Sequence, residues 1–252
     1  MIAREMTHST NDDLVALAAA EEVPEFTVVA TTSQSAGRGR LGRTWEAPPH
    51  TSLAASVLLR PKAAAVPLEL YGWIPLIAGL AMTRTVRELV PDRTVALKWP
   101  NDVLIEGKKV CGVLSELLSD GTSVVVGAGL NLTIPADALP VPTATSLLLE
   151  GVSGSAEALA DRALSGYLRE LRRCWGVFIS QEPGRGVAAL RADVSAACST
   201  LGHAVRVDNP DGTHNTGTGI GLDETGRLQI RIGSNGHVQT VAAGDITHLR
   251  YE

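Results

Sequence analysis

The chain has 252 residues, and 22 Lys and Arg against 27 Asp and Glu give a formal net charge of −5 at pH 7. This acidic balance argues against a general nucleic-acid coat protein. The length predicts one large domain, or a large domain with a small appendage. Three widely spaced cysteines suit neither a zinc site nor a disulfide framework, and no apolar run is long enough for a signal peptide or a membrane span. The sequence therefore predicts a cytoplasmic protein.

The first half of the chain predicts helices among short strands. Ser9 precedes acids and an apolar helical pattern, which predicts a helix cap. Pro75 suits the first turn of a second helix that runs to about Leu89. Apolar and β-branched runs predict strands at 26–31, 52–59, 95–99, 103–105, 110–118 and 123–130. The Asp120-Gly121 pair predicts a hairpin between the last two, so antiparallel pairing is expected.

In the second half of the chain, the predicted secondary structure changes from helices to short strands near residue 199. Apolar residues three or four apart predict one helix over 156–179, and a shorter helix is predicted over 186–198. Strands are then predicted at 204–207, 216–222, 228–232 and 237–241, with turns at 209–212, 223–226 and 234–236. This pattern predicts an α+β domain over 1–198 and a small β-barrel over 199–252.

Residues 34–45, QSAGRGRLGRTW, form a loop rich in glycine and arginine. Its glycines satisfy GxGxxG, but Pro48-Pro49 and a strand follow where a dinucleotide site needs a helix. Glycines allow close backbone approach, and guanidinium groups bind phosphate through two hydrogen bonds. The loop therefore predicts a flap over a phosphate-bearing ligand. A solvated basic turn and a loop that binds single-stranded RNA are the alternatives.

Residues 98–112, KWPNDVLIEGKKVCG, predict a strand, a Pro-Asn-Asp turn, a second strand and a lysine that leads into a third. Lys109 offers a point charge to phosphate or carboxylate, and Gly112 would let a ligand approach the backbone. Taken alone, the Asn101-Asp102 pair is equally typical of a turn, and Lys109 of a solvated hairpin.

Together these segments resemble biotin–protein ligases, which attach biotin to a lysine of biotin-dependent carboxylases. The resemblance rests on STN at 9–11, Gln34 with GRGRLGRTW, KWPND at 98–102, residues 109–112 and GAGLN at 127–131. It implies an α+β fold in which helices pack on a mixed, largely antiparallel sheet, like the catalytic domain of class II aminoacyl-tRNA synthetases. It also implies that 1–198 binds biotin and ATP and that 199–252 forms an SH3-like β-barrel.

The resemblance implies a reaction in two steps. Biotin and MgATP are the substrates, with Mg²⁺ as the metal, and they give biotinoyl-5′-AMP. A lysine of a biotin carboxyl carrier protein, or of a carrier domain, then displaces AMP. No nucleic acid and no membrane take part. Neither step needs an enzyme nucleophile, which agrees with the lack of a Ser/His/Asp or Cys/His pattern. The chemical task is to gather anions and stabilise charge on the α-phosphate.

Site residues follow from the resemblance position by position. It implies that biotin contacts Ser9, Thr10, Asn11, Gln34, Arg38, Gly39, Arg40, Lys109, Gly112 and Gly129. It implies that the nucleotide contacts Arg38, Arg40, Arg43, Trp45, Lys98, Asn101, Lys109 and Asn131. Arg40, Lys109 and Asp102 are the expected catalytic residues. Asp102 is expected to orient or deprotonate the incoming lysine, to bind metal or to cap a turn, and the metal ligands are left open.

Two other readings of the sequence are a lipoate ligase or octanoyl transferase, and a ligand- or RNA-binding module without catalysis. The full GRGRLGR run at 37–43 favours the biotin enzymes over the lipoate enzymes. Some biotin ligases begin with a helix-turn-helix domain and repress transcription. Only eight residues precede Ser9 here, so we expect a ligase without repressor activity.

Overall fold

The structure is a computed structural model that describes residues 1–61, 66–180, 185–208, 213–233, 236–241 and 245–248. Within these residues the α-helices are α1 (Thr10–Ala20), α2 (Trp73–Leu89), α3 (Ala156–Phe178) and α4 (Arg185–Ala197). Among them, no helix combines the length and the apolarity needed to cross a bilayer. The predicted helices are present, and α2 begins two residues before Pro75 because a 3-10 turn (Leu68–Gly72) leads into it.

A seven-stranded sheet forms the larger part of the molecule. Its strands are β1 (Ile2–Ala3), β2 (Val28–Thr31), β5 (Ser52–Leu59), β6 (Val95–Lys98), β7 (Asp102–Ile105), β8 (Lys108–Leu117) and β9 (Val124–Asn131). They run in the order β1-β2-β5-β9-β8-β7-β6. β1 and β2 are parallel and the other neighbours are antiparallel. The predicted mixed, largely antiparallel α+β arrangement is confirmed.

The two faces of this sheet bury different partners. All eight residues of β5 are buried, which a strand with a period of two allows only when both faces are covered. Leu53, Val57 and Leu59 pack in the main core with α2 and α3, whereas Leu58 packs with Leu14 of α1. The opposite face of β5 therefore also carries Ser56 and Ala54, beyond the N-terminus of α1.

Residues 33–45 are more ordered than the predicted loop. A small hairpin forms between β3 (Gly37–Arg38) and β4 (Thr44–Trp45), with a 3-10 turn (Arg40–Gly42) at its tip. Leu41 and Gly42 take positive φ values of 56° and 73° there. Because two-residue strands leave no periodic pattern in the sequence, the segment looked irregular. We call residues 37–45 the Arg/Gly hairpin.

A second sheet follows the helices. Its strands are β10 (Ala204–Asp208), β11 (His214–Leu222), β12 (Leu228–Ile232), β13 (His237–Val241) and β14 (Asp245–His248), in the order β13-β12-β11-β10-β14. The indoles of Trp73 and Trp99 donate to the carbonyls of Glu224 and Gly226, at 2.8 and 3.0 Å, and dock the β11–β12 turn on α2 and on the β6–β7 turn. The turn predicted at 209–212 and residues 234–235 lie outside the described residues. The division at 198/199 stays a prediction.

Candidate active site

A cavity opens on the α1 side of the larger sheet, where the N-terminus of α1, the middle of β5, β8 and β9, and the Arg/Gly hairpin meet. Most of the predicted site residues line it. They are Ser9, Thr10, Asn11, Gln34, Arg38, Gly39, Arg40, Arg43, Trp45, Asn101, Asp102, Lys109, Gly112 and Gly129. Segments up to 120 residues apart in the chain therefore converge on one cavity.

The end of the cavity at α1 is a cluster of neutral hydrogen-bonding groups. Ser9 caps the helix, because its hydroxyl accepts from the amide of Asp12. The backbone amide of Thr10 donates to Gln34 Oε1 at 2.9 Å. Ser56, fully buried on β5, donates to Asn11 Oδ1 at 2.6 Å and lies 2.8 Å from the Thr10 hydroxyl. These bonds fix which donors and acceptors face the cavity.

A carboxylate on β8 connects this polar end to the Arg/Gly hairpin. Glu116 Oε2 accepts from Asn11 Nδ2 at 2.5 Å. The two Glu116 oxygens also face the guanidinium of Arg38, at 2.7 and 2.8 Å. Arg38 makes a second ion pair with Asp12. Its charge is thus compensated by two carboxylates, and its predicted contact with the adenylate stays a prediction.

The opposite end of the cavity is cationic. Arg40 Nη1 donates to Asn101 Oδ1 at 3.1 Å, and Asn101 Nδ2 donates to the carbonyl of Val113 at 2.7 Å. Burial lowers the pKa of Arg40, while Asp102 opposes that shift and Arg43 adds to it. Asn101 therefore holds a partly desolvated guanidinium at the edge of the cavity.

Lys109 and Asp102 form an ion pair in this cationic end, with Nζ 2.7 Å from Oδ1. Lys98 is the cross-strand partner of Asp102. Burial lowers the pKa of Lys98, and repulsion from Lys109 and Arg43 lowers it further, against the attraction of Asp102. Crowded and partly desolvated cations of this kind favour the binding of an anion, because its charge relieves their repulsion.

The indole of Trp45 lies on two glycines of neighbouring strands. Gly112 and Gly129 are register partners, and a Cβ on Gly129 would lie 2.5 Å from Trp45 Cε2. Lys109 Nζ lies 5.8 Å from the centre of the indole. The Nε1 atom of Trp45 is buried and has no hydrogen-bond partner among the described residues. Gly129 is therefore needed for the ring to reach the sheet, and a Cβ on Gly112, 3.3 Å from Trp45 Cζ3, would crowd it.

Two predicted site residues do not line the cavity. Lys98 is the register partner of Asp102 on the neighbouring strand, and attraction by Asp102 opposes the lowering of its pKa. Asn131 is 4% exposed, and its amide nitrogen donates to the carbonyl of Thr145 at 2.8 Å. The predicted contact of Asn131 with the nucleotide stays a prediction.

Ser56 and Glu116 join the site although sequence reasoning passed over them. Ser56 lies in the middle of an apolar strand, SLAASVLL, and Glu116 is the last residue but one of β8. A hydroxyl in a fully buried strand requires a polar partner. The sequence therefore indicates that Ser56 has a polar partner. It does not identify that partner, because Asn11 is 45 residues away in the chain.

Comparison with known proteins agrees with this geometry. A family model described as "Biotin/lipoate A/B protein ligase family" matches residues 4–131. A protein of Mycobacterium tuberculosis named "Biotin--[acetyl-CoA-carboxylase] ligase" is 39% identical over 97% of this chain and 87% of its own. A protein of the same name from Paracoccus denitrificans is 31% identical over 92% and 93%.

Solved structures give the same result. The biotin protein ligase of Aquifex aeolicus in complex with biotin and ATP superposes with a TM-score of 0.75, at 27% identity. The superposition covers 99% of this chain and 98% of that one. On the family model and on the identity to the relatives, the chain belongs to the biotin/lipoate A/B protein ligase family.

Proposed function

We propose that this protein is a biotin–protein ligase, which activates biotin with MgATP to biotinoyl-5′-AMP and transfers biotin to a lysine of a biotin carboxyl carrier domain. The observation that carries the proposal is the single cavity with two chemically different ends. Neutral amides and hydroxyls at α1 suit a ureido ring, and cations around Lys109 suit an acyl phosphate. Relatives along nearly the whole chain are named as ligases that biotinylate acetyl-CoA carboxylase.

At the α1 end, Ser9, Thr10, Asn11 and Gln34 would bind the ureido group. Their side chains are already fixed by bonds to one another and to Ser56. A site whose polar groups need no reordering loses less entropy on binding. A substrate that lacks the ureido group would leave the remaining donors and acceptors of these groups without partners, which disfavours it. This end of the cavity therefore supports biotin over lipoate.

At the cationic end, a carboxylate oxygen of biotin attacks the α-phosphorus of ATP. A new P–O bond forms, the bond to the bridging oxygen breaks, and pyrophosphate leaves. Arg40 bonds Asn101, Lys109 pairs with Asp102, and the two cations would stabilise the charge on the α-phosphoryl oxygens. Trp45 would offer an aromatic face to the adenine.

In the second step the carrier amine attacks the acyl carbon, and AMP leaves with the electrons of the anhydride bond. The amine must lose a proton to do so. Asp102 is the carboxylate among the described residues that line the cavity, and Lys109 holds it in place at 2.7 Å. We assign it to orienting the incoming lysine and accepting its proton.

The residues also fit a magnesium ion that arrives with ATP. Across the described residues, no group of three or more His, Cys, Asp or Glu side chains is arranged to hold a metal. Mg²⁺ is commonly bound by one or two carboxylates together with substrate phosphates. Asp102 would be the protein ligand during adenylation, before the carrier lysine enters, and the ion would neutralise charge on the phosphates.

The finer assignments belong to the same proposal. We assign residues 1–198 to the catalytic domain and 199–252 to a small SH3-like barrel, supported by the change from helices to the second sheet between Ala197 and Ala204. A cytoplasmic location would place the enzyme beside its carrier domain. We also expect no sequence-specific DNA binding, which a mobility-shift assay at physiological salt would test.

Incubation with MgATP, a carrier domain and either labelled biotin or labelled lipoate tests the proposal. We expect pyrophosphate release that depends on biotin, and a mass increase of the carrier by one biotinyl group. Exclusive transfer of lipoate would assign the protein to the lipoate ligases of the same family. No acyl transfer, with RNA binding that weakens steeply as salt increases, would identify a binding module instead.

Gly127→Ala is expected to lower the affinity for biotin at least about tenfold. A Cβ there would lie 2.2 Å from Asn11 Oδ1, so the buried amide must move and lose its bonds to Ser56 and Glu116. Isothermal titration calorimetry measures the change. Gly176→Ala is the control, because a Cβ at that helical position meets nothing within 4 Å. Equal biotin affinity in both variants would contradict the assignment of Asn11 to the biotin site.

A further inference from the structure

Glu116, on β8, contacts both Asn11 at the α1 end of the site and Arg38 of the Arg/Gly hairpin. Its side chain is 25% exposed, compared with 56% for Asp12, the other acid on Arg38. Ion pairs weaken as solvent exposure grows. Of the two acids that hold Arg38, Glu116 therefore contributes more to the position of the hairpin.

The same carboxylate fixes the orientation of an amide in the biotin site. Asn11 Oδ1 accepts from Ser56 at 2.6 Å, while Asn11 Nδ2 donates to Glu116 at 2.5 Å. A hydroxyl can donate to an amide oxygen or accept from an amide nitrogen, but a carboxylate can only accept. Glu116 therefore decides which end of the Asn11 amide faces the hairpin, and with it the pattern offered to a ligand.

We propose that Glu116 is a positioning residue, which holds the Arg/Gly hairpin over the cavity and orients Asn11 for biotin. This inference rests on the proposed ligase function. Glu116 acts through Arg38 and Asn11, whereas Lys109 and Arg40 contact the reacting atoms. Because Arg38 belongs to the same hairpin as Arg40 and Trp45, one carboxylate couples recognition of biotin to closure over the adenylate.

Glu116→Gln separates this role from a general loss of packing. The amide has nearly the same shape, but its nitrogen must face a donor of Arg38 or of Asn11. We expect the KM for biotin and the dissociation rate of bound biotinoyl-5′-AMP to rise about tenfold or more. We expect kcat at saturating biotin and ATP to change less than about threefold, since Lys109 and Arg40 keep their charges. In the ligand-free protein, amides of residues 37–45 should exchange hydrogen faster.

Glu170→Gln is the matched control. Glu170 is a buried carboxylate that bonds Arg173 at 2.9 Å on α3, away from the site. It should lower the thermal midpoint without changing the KM for biotin or exchange at 37–45. In an Arg38→Ala background, the effect of Glu116→Gln on KM should shrink, because one of its two partners is already lost.

A KM for biotin equal to that of the wild type in Glu116→Gln overturns the proposal, even if hairpin exchange increases. An undiminished effect in the Arg38→Ala background overturns the coupling through Arg38. Failure of the ligase function itself is distinguishable, because the wild-type protein would then release no pyrophosphate in response to biotin. Hairpin exchange would still decide whether Glu116 holds residues 37–45.

Discussion

Lys109→Ala is expected to slow biotinoyl-adenylate formation by about a hundred- to a thousandfold, the usual effect of removing one preorganised charge or donor from a developing oxyanion. The ammonium lies in the cationic end of the cavity, 2.7 Å from Asp102. Its loss also leaves Asp102 without this counter-ion. The uncompensated carboxylate then repels the incoming carboxylate and phosphates. Single-turnover release of pyrophosphate measures the chemical step directly.

Lys108→Ala is the matched control for this experiment. Lys108 is the preceding residue of β8, and it is exposed while Lys109 lines the cavity. We expect nearly wild-type adenylation from it. Lys109 is 35% exposed, and its removal relieves repulsion on Lys98, so both variants should keep their stability within about 1 kcal/mol. A Lys109→Ala variant that folds and adenylates normally would remove Lys109 from the mechanism.

Arg40→Gly is expected to make a leaky enzyme that forms biotinoyl-5′-AMP and releases it. Arg40 stands at the tip of the Arg/Gly hairpin and reaches Asn101 across the cavity mouth. A lost charge-assisted hydrogen bond to the adenylate corresponds to about ten- to a hundredfold faster release. The free mixed anhydride acylates exposed lysines, so bystander proteins such as serum albumin should become biotinylated in the same tube.

Arg40→Lys is the comparison, because it keeps the positive charge but has no planar fork. Its leakage should fall between that of the wild type and that of Arg40→Gly. Blotting of the bystander protein with labelled streptavidin, at equal adenylation rates, gives the measurement. If Arg40→Gly holds the adenylate as tightly as the wild type, Arg40 does not close the site.

Much of the fold was predictable because its elements carry strong local signals. The cap at Ser9, the apolar spacing of 156–179 and the Asp120-Gly121 turn each have a local physical cause. Elements that depend on distant partners were missed. β1 is only two residues long and forms because it pairs with β2. The Arg/Gly hairpin depends on the ion pair of Arg38 with Glu116 and on the contact of Trp45 with Gly112 and Gly129.

The site residues divide in the same way, into those with a local signal in the sequence and those that depend on distant partners. Loop glycines, arginines and Lys109 stood out because their residue types limit the chemistry that they can perform. Glu116 did not, since a glutamate in a strand gives no sign of the arginine 78 residues away that it binds. Asn131 was expected to contact the ligand because of its position in GAGLN; its amide nitrogen donates to the carbonyl of Thr145, and the contact stays a prediction.

The indole of Trp45, which lies against Gly112 and Gly129, is an intrinsic fluorescent probe of the cavity. Of its four tryptophans, Trp73, Trp99 and Trp175 are at most 3% exposed and are fixed in the core, so their emission is set by the fold. Trp45 lines the cavity instead, and its indole lies 5.8 Å from the ammonium of Lys109. Its fluorescence therefore senses occupancy, and titrations of biotin or nucleotide need no dye, label or coupled assay.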